Sequence, residues 1–182
     1  MFQNFLKKCL DGDKMEEIKK FKTLVDEEKM LDAFYPEHKK NNYSSLLYYA
    51  TDTCGMDGLI AAAHFFTPEI VSCKGYIFIK EFLNCDSDEE IIKTVEDLEK
   101  QYNYDRKMIE MSVNSLSVGA FFLGHSEDIY DNEEVIYQFA ECMAYFWKKR
   151  IDEVLPGNKV VVEIGEEIMG EYGISITFYQ KD

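Results

Sequence analysis

The segment from 132 to 155, NEEVIYQFAECMAYFWKKRIDEVL, carries the strongest periodic pattern in the chain. Its apolar residues recur every three or four positions, the spacing of one face of an α-helix. The stripe consists of Val135, Phe139, Met143, Phe146, Trp147, Ile151 and Val154. Asp131 is the expected N-cap, Glu134 is the reciprocal residue, and Pro156-Gly157 ends the helix. A helix this long must bury its stripe, and we expect the small residues of 105–123 to allow close packing there.

Two short segments after this helix alternate between apolar and polar residues, as half-buried strands do. They are KVVVEIG (159–165) and GISITFYQ (173–180), joined by EEIMGEY. The residues predicted to share the buried face are Val160, Val162, Ile164, Ile174, Ile176 and Phe178. A lone hairpin is only marginally stable, so it must join a sheet or lie against helices. The segment EIVSCKGYIFIKEFL predicts a further strand, or a hairpin that turns at Lys74-Gly75.

The remaining patterns are helical. Short helices are expected in the first 40 residues, two helices joined at Thr53-Cys54-Gly55 in 44–66, and one helix over 104–123 that stops at Gly124. Ser87 and Glu90 form a capping box. The helix they begin should bury Ile91, Ile92, Val95, Leu98 and Tyr102. The sequence therefore predicts an α+β fold, a helix-dominated single domain over 1–182 with a small antiparallel sheet that includes a C-terminal β-hairpin.

The charge balance limits the partners. The chain has 35 acidic and 20 basic residues, a formal net charge of −15. Such a surface repels nucleic-acid phosphates and anionic lipid headgroups, so we expect neither nucleic acid nor membrane as a partner. A basic protein remains possible, because opposite charge accelerates encounter. The oligomeric state stays open.

The cysteines and the N-terminus bear on the compartment. Five cysteines form no C-x-x-C pair and leave one unpaired, which is typical of reduced thiols in a cytoplasm. The first 20 residues alternate apolar and charged residues and lack the apolar core of a signal peptide. We therefore expect a cytoplasmic protein.

Two sets of residues are candidates for chemistry. His125 and Asp128 lie in GHSEDIYDNEEV and could bind a metal, but a capped loop between two helices accounts for the carboxylates. Cys54 and His64 could form a catalytic Cys–His pair, although a histidine in the apolar segment LIAAAHFF is more often a core residue. No motif implies a cofactor.

Two further patterns have a structural and a functional interpretation. Ser112, Ser115 and Gly119 stand at helical spacing, which indicates a small-residue strip for close helix packing, or else a polar pocket or a nucleophile. The segment GEEIMGEYG lacks the lysine of a phosphate loop. Its carboxylates form either a solvated turn or a binding site for a basic partner. They are Glu166, Glu167 and Glu171, together with Glu163, which lies two residues before the segment.

Three function classes follow. The first is a non-catalytic, acidic interaction protein that binds a basic protein, either as a regulator or in the way that immunity proteins bind toxins. The second is a small Cys- or His-dependent hydrolase or transferase. The third is a regulatory domain with a small-ligand pocket between the long helices and the sheet.

Overall fold

The computed structural model describes residues 23–34, 45–124 and 128–181. The fold is α+β and dominated by helices, with two small antiparallel sheets. The described α-helices are α1 Glu27–Phe34, α2 Leu46–Thr53, α3 Gly55–Phe66, α4 Lys80–Leu83, α5 Asp88–Gln101, α6 Arg106–Asn114 and α7 Glu133–Val154. The strands are β1 Ile70–Cys73, β2 Tyr76–Ile79, β3 Leu116–Ser117, β4 Val160–Glu166 and β5 Ile174–Gln180.

Helix caps follow the sequence closely, with one shift. The Ser87 hydroxyl accepts from the Glu90 amide at 3.3 Å and begins α5 as predicted, and the Glu90 carboxylate accepts from the amide of Asp86. The predicted cap of α7 is wrong by one residue, since Asn132 and not Asp131 accepts from the first-turn amides. Asp131 ends a short 3-10 turn, so α-helical geometry begins one residue later.

The first sheet is the hairpin of β1 and β2. Lys74 and Gly75 form its two-residue turn, with φ of 53° and 87°. Positive φ at both positions matches the right-handed twist of the strands, and glycine reaches that conformation without strain. Cys73 pairs with Tyr76 across the turn, and the hairpin predicted from the sequence is confirmed.

The second sheet has the order β3-β5-β4, and it includes the C-terminal strand pair. Val162 lies opposite Phe178 and Ile164 opposite Ile176, so the predicted apolar residues share one face. The continuous helix predicted over 104–123 is wrong. The observed helix α6 stops at Asn114, and the next residues form β3. There Leu116 pairs with Ile176, and the strand gains hydrogen bonds to β5 that a helix could not make.

The stripe of α7 is buried only in part. Met143, Trp147 and Ile151 are at most 2% exposed, and α7 packs mainly on β4 and β5. Of the 105–123 segment only the 3-10 turn at 118–122 contacts it substantially, so the predicted packing on a helix there is wrong. Phe146 is 38% exposed, contrary to the prediction, and its ring lies 5.2 Å from that of Phe66. The buried face of α7 is formed by Ala140, Met143, Trp147 and Ile151, which are spaced by three or four residues, and Phe146 lies at the edge of that face.

The long helix α5 also buries less than its pattern predicted. Ile91 and Val95 are buried, whereas Ile92 is 46% exposed. Glu99 is buried on the same helix. It accepts a hydrogen bond from the Tyr76 hydroxyl at 3.3 Å and forms an ion pair with Lys74. These two partners compensate the cost of burying the carboxylate charge.

The two sheets are joined by the side chains of α6. Glu110 and Asn114 are fully buried and lie one turn apart on the same face of the helix. They occupy the gap between the free edge of β2 and the part of β5 that β3 does not cover. We refer to this pair as the α6 bridge.

Asn114 satisfies both strands at once. Its Oδ1 accepts from the Ile79 amide at 3.2 Å, and its Nδ2 donates to the carbonyls of Ile77 at 2.9 Å and Phe178 at 3.3 Å. Only a side chain with both a donor and an acceptor can make this set. The amide therefore replaces the backbone of a missing strand.

Glu110 makes the second half of the bridge. Its carboxylate accepts from the Ile77 amide at 3.0 Å, and from the amide and the side-chain Nε2 of Gln180, both at 2.6 Å. Burial raises the pKa of Glu110 above its ordinary value, although the hydrogen bonds from Gln180 and Ile77 oppose that shift.

Replacing Asn114 with Asp keeps the volume and removes the donor, so the buried carbonyls of Ile77 and Phe178 lose their partner. We expect the free energy of unfolding in urea to fall by about 2 to 5 kcal/mol near neutral pH. Asn158 is exposed and has no positive φ, so Asn158→Asp is the matched control, with an expected change within about 0.5 kcal/mol. Equal losses in the two variants would contradict the role of the bridge.

The raised pKa of Glu110 predicts a pH dependence. The native state holds the Glu110 proton more tightly than the unfolded state, so the parent should lose stability relative to Glu110→Gln as pH rises from about 4.5 through the folded-state pKa. Urea unfolding of both proteins across that range measures the difference. A difference that stays constant, or that changes in the opposite direction, would disprove the assignment.

Candidate functional site

An acidic concavity lies between α1, the N-terminal half of α7 and the turn that joins β4 to β5. It encloses about 890 Å³. The carboxylates that line it are Asp26, Glu133, Glu134, Glu141, Glu166 and Glu167. Lys29 is the one basic residue in the described lining, and it forms an ion pair with Glu134. We refer to this site as the acidic groove.

Local structure explains why several of these carboxylates lie there. Glu133 and Glu134 occupy the first turn of α7, where the helix dipole favours negative charge. Asp26 precedes α1, and its carboxylate accepts from the Lys29 amide at 3.2 Å. The Asp26 amide also donates to the Gln138 side chain at 3.4 Å, which connects the start of α1 to α7. Helix termini thus bring acidic residues from distant parts of the chain to one side of the groove.

The opposite side is the turn between β4 and β5. Glu166 ends β4 opposite Ile174, and the Glu167 amide donates to the Gly173 carbonyl at 3.1 Å. Both carboxylates are exposed. Glu167 adopts a φ of 55°, and with it the chain turns out of β4. Two successive acidic residues therefore lie at this end of the strand pair.

The electrostatics of the groove favour cations. The hydrogen bond that Lys29 donates to Glu134, and the charges of Glu134, Asp26 and Glu141, raise the pKa of this lysine. One ammonium group neutralises only one of the six carboxylates. The exposed rings of Tyr137 and Tyr172, with 49% and 89% of their surface accessible, add apolar area to the lining.

The four glutamates predicted as a partner-binding group are divided by the structure. Glu166 and Glu167 line the acidic groove. Glu163 lies outside that lining and accepts from the Tyr179 hydroxyl at 3.1 Å. Glu171 accepts from the Ser117 amide at 3.1 Å and lines an adjoining hollow beside β3, which shares Glu133 and Tyr172 with the groove. No sequence pattern indicates that Asp26 and Glu141 belong to the groove, because only tertiary packing brings them there.

Cys54 and His64 do not form a pair. They stand at the two ends of α3, ten residues apart, which corresponds to about 15 Å along a helix. The prediction of a buried His64 is wrong, since its side chain is 74% exposed and its Nε2 lies 3.7 Å from Glu81. The aromatic residues Phe65 and Phe66 that follow it face the core, which turns His64 outward.

The candidate metal residue His125 lies outside the described residues, as does Glu127, and the backbone of Asp128 begins the 3-10 turn before α7. Among the residues that the structure describes, no cluster of three histidine, cysteine or carboxylate side chains could hold a metal ion.

The predicted small-residue strip is wrong as a helical feature, because α6 ends before Ser115. The Ser112 hydroxyl donates to the Ile109 carbonyl at 2.8 Å. The Ser115 hydroxyl is buried without a hydrogen-bond partner in the described part of the chain. Neither serine has a base beside it among its described contacts.

No protein family, curated protein or solved structure matches this chain. Within the described ranges, no helix combines the length and the apolar character that a membrane crossing requires.

Cysteine exposure gives a direct prediction. Cys54 is exposed, whereas Cys85 is buried and its thiol donates to the Leu83 carbonyl at 3.2 Å. Burial also raises the pKa of Cys73 and Cys142, which lowers their thiolate fraction. Under native alkylation with iodoacetamide, peptide mapping should show Cys54 modified at least roughly tenfold faster than Cys85. Equal rates would contradict the described packing around Cys85.

Proposed function

We propose that this protein is a non-catalytic interaction protein that binds a basic protein partner through the acidic groove. The observation that carries the proposal is the imbalance of the lining, in which six carboxylates face one lysine that is already paired. A concave surface of one sign concentrates its field and attracts a ligand of the opposite sign.

The net charge of the whole chain also favours a basic partner. A net charge of −15 accelerates encounter with a basic protein and opposes approach of nucleic acid or an anionic membrane. Tyr137 and Tyr172 supply the kind of aromatic contact that often dominates binding energy at interfaces. The partner most compatible with the groove is therefore a lysine- or arginine-rich segment that also carries apolar residues.

The exposure of the carboxylates sets the expected character of the complex. Contacts between exposed charges contribute mainly to the association rate, and salt screens them. The free state of Cys54, Cys73, Cys85 and Cys142 favours a reducing compartment such as the cytoplasm. The hydrolase alternative has less support, because Cys54 and His64 are separated along α3.

A charge-matched pair of variants tests the proposal. The groove variant combines Glu141→Gln, Glu166→Gln and Glu167→Gln, and the control combines Glu69→Gln, Glu89→Gln and Glu153→Gln, all exposed. Each variant removes three negative charges. With a labelled lysine–alanine peptide as the probe, fluorescence anisotropy should show roughly tenfold weaker binding for the groove variant, because each exposed ion pair contributes about 0.5 kcal/mol.

The control variant should bind the same peptide with an affinity within roughly twofold of the parent, since charges beyond a screening length contribute little. Equal losses in both variants would show that affinity follows net charge and not the groove. Binding that does not weaken between low and high salt would also contradict the proposal.

A further inference from the structure

A second concavity, distinct from the acidic groove, opens between the end of α3, α4 and the middle of α7. It encloses about 230 Å³. Four aromatic residues line it, namely Phe65, Phe82, Phe121 and Trp147. Two polar residues, His64 and Glu81, complete the part of the lining that can carry charge. We refer to this site as the aromatic pocket.

The wall is held in place by ring contacts. Phe65 and Phe121 lie 5.0 Å apart between centroids at an interplanar angle of 80°, and Phe82 and Trp147 lie 6.0 Å apart at 66°. Edge-to-face pairs of this kind stabilise a fixed arrangement of rings. Trp147 is 2% exposed, and its indole Nε1 is buried without a hydrogen-bond partner among the described residues.

The size of the pocket limits its ligand. A cavity of about 150 Å³ lined by apolar side chains stays dry and accepts benzene. The aromatic pocket is larger, so it has room for one aromatic ring and a short chain. Such a wall offers water few hydrogen-bond partners, so an apolar occupant is favoured.

The polar residues define the other end of that ligand. Glu81 lies 3.7 Å from His64 Nε2, and its side chain is 48% exposed. The neighbouring Lys80 ammonium donates to the Cys85 carbonyl at 2.6 Å, and no lysine or arginine lines the pocket in the described part of the chain. With a net charge of −15 on the chain, the polar end is complementary to a cation.

We propose that the aromatic pocket binds a small arylalkylamine, with the ring among Phe65, Phe82, Phe121 and Trp147 and the ammonium group beside Glu81. This site is separate from the acidic groove, so it does not depend on the function proposed above. It gives the protein a small-molecule ligand in addition to a basic partner.

Three probes with the same ring and different polar ends test the charge preference: phenethylamine, phenethyl alcohol and phenylacetate. Trp147 is the only tryptophan of the chain, so its fluorescence reports binding at the pocket wall. The amine should bind roughly three- to fivefold more tightly than the alcohol, and the carboxylate most weakly. The advantage of the amine should decrease at high salt.

Two variants separate the contributions. Glu81→Gln should remove the preference for the amine over the alcohol and leave the affinity for the alcohol unchanged. Phe121→Ala, at a residue that is 41% exposed, should weaken binding of all three probes. Thermal melts establish that both variants are folded. Absence of binding, equal affinity for amine and alcohol in the parent, or binding unaffected by Phe121→Ala would overturn the proposal.

Discussion

Two sheets that lie edge to edge without pairing must have their exposed backbone groups satisfied by something else, and in this protein the α6 bridge does it. Burial of an unpaired amide or carbonyl costs as much as a lost hydrogen bond, so the edges of β2 and β5 could not be enclosed without Glu110 and Asn114. The side chains of β2 alternate between two hydrophobic clusters, one on each face of the strand. Ile77 and Ile79 belong to the core with Trp147, and Tyr76 and Phe78 to the core with Ile91, Val95 and Ile109.

The bridge also positions the surfaces that we associate with function. It fixes β5, which pairs with β4 and so places the turn of Glu166 and Glu167. The helix α7 packs on the same sheet, and its first turn brings Glu133 and Glu134 to face that turn across the groove. Further along α7, Trp147 reaches the aromatic pocket. One helix thus contributes to both sites, with a different stretch for each.

Local chemistry made much of the fold predictable. A two-residue turn at Lys74-Gly75, the Ser87 cap and the alternation in β4 and β5 are properties of a few neighbouring residues, and the structure agrees with each of them. The features that the sequence did not predict depend on contacts between residues that are distant in the chain. Asn114 looks like an ordinary polar helix residue until β2 and β5 are placed beside it, and β3 exists only because β5 offers it a ladder. For the same reason the sequence identified two groove residues, Glu166 and Glu167, but could not connect them to Asp26 or Glu141.

Native-state hydrogen exchange tests the α6 bridge most directly. The amides of Ile77, Ile79 and Gln180 donate to the side chains of Glu110 and Asn114. If the bridge joins the two sheets into one cooperative unit, these amides should exchange only through global unfolding, with the same opening free energy as the β4–β5 ladder and as urea denaturation. Exchange of these three amides at the rate of exposed loops, while the ladder stays protected, would contradict the account.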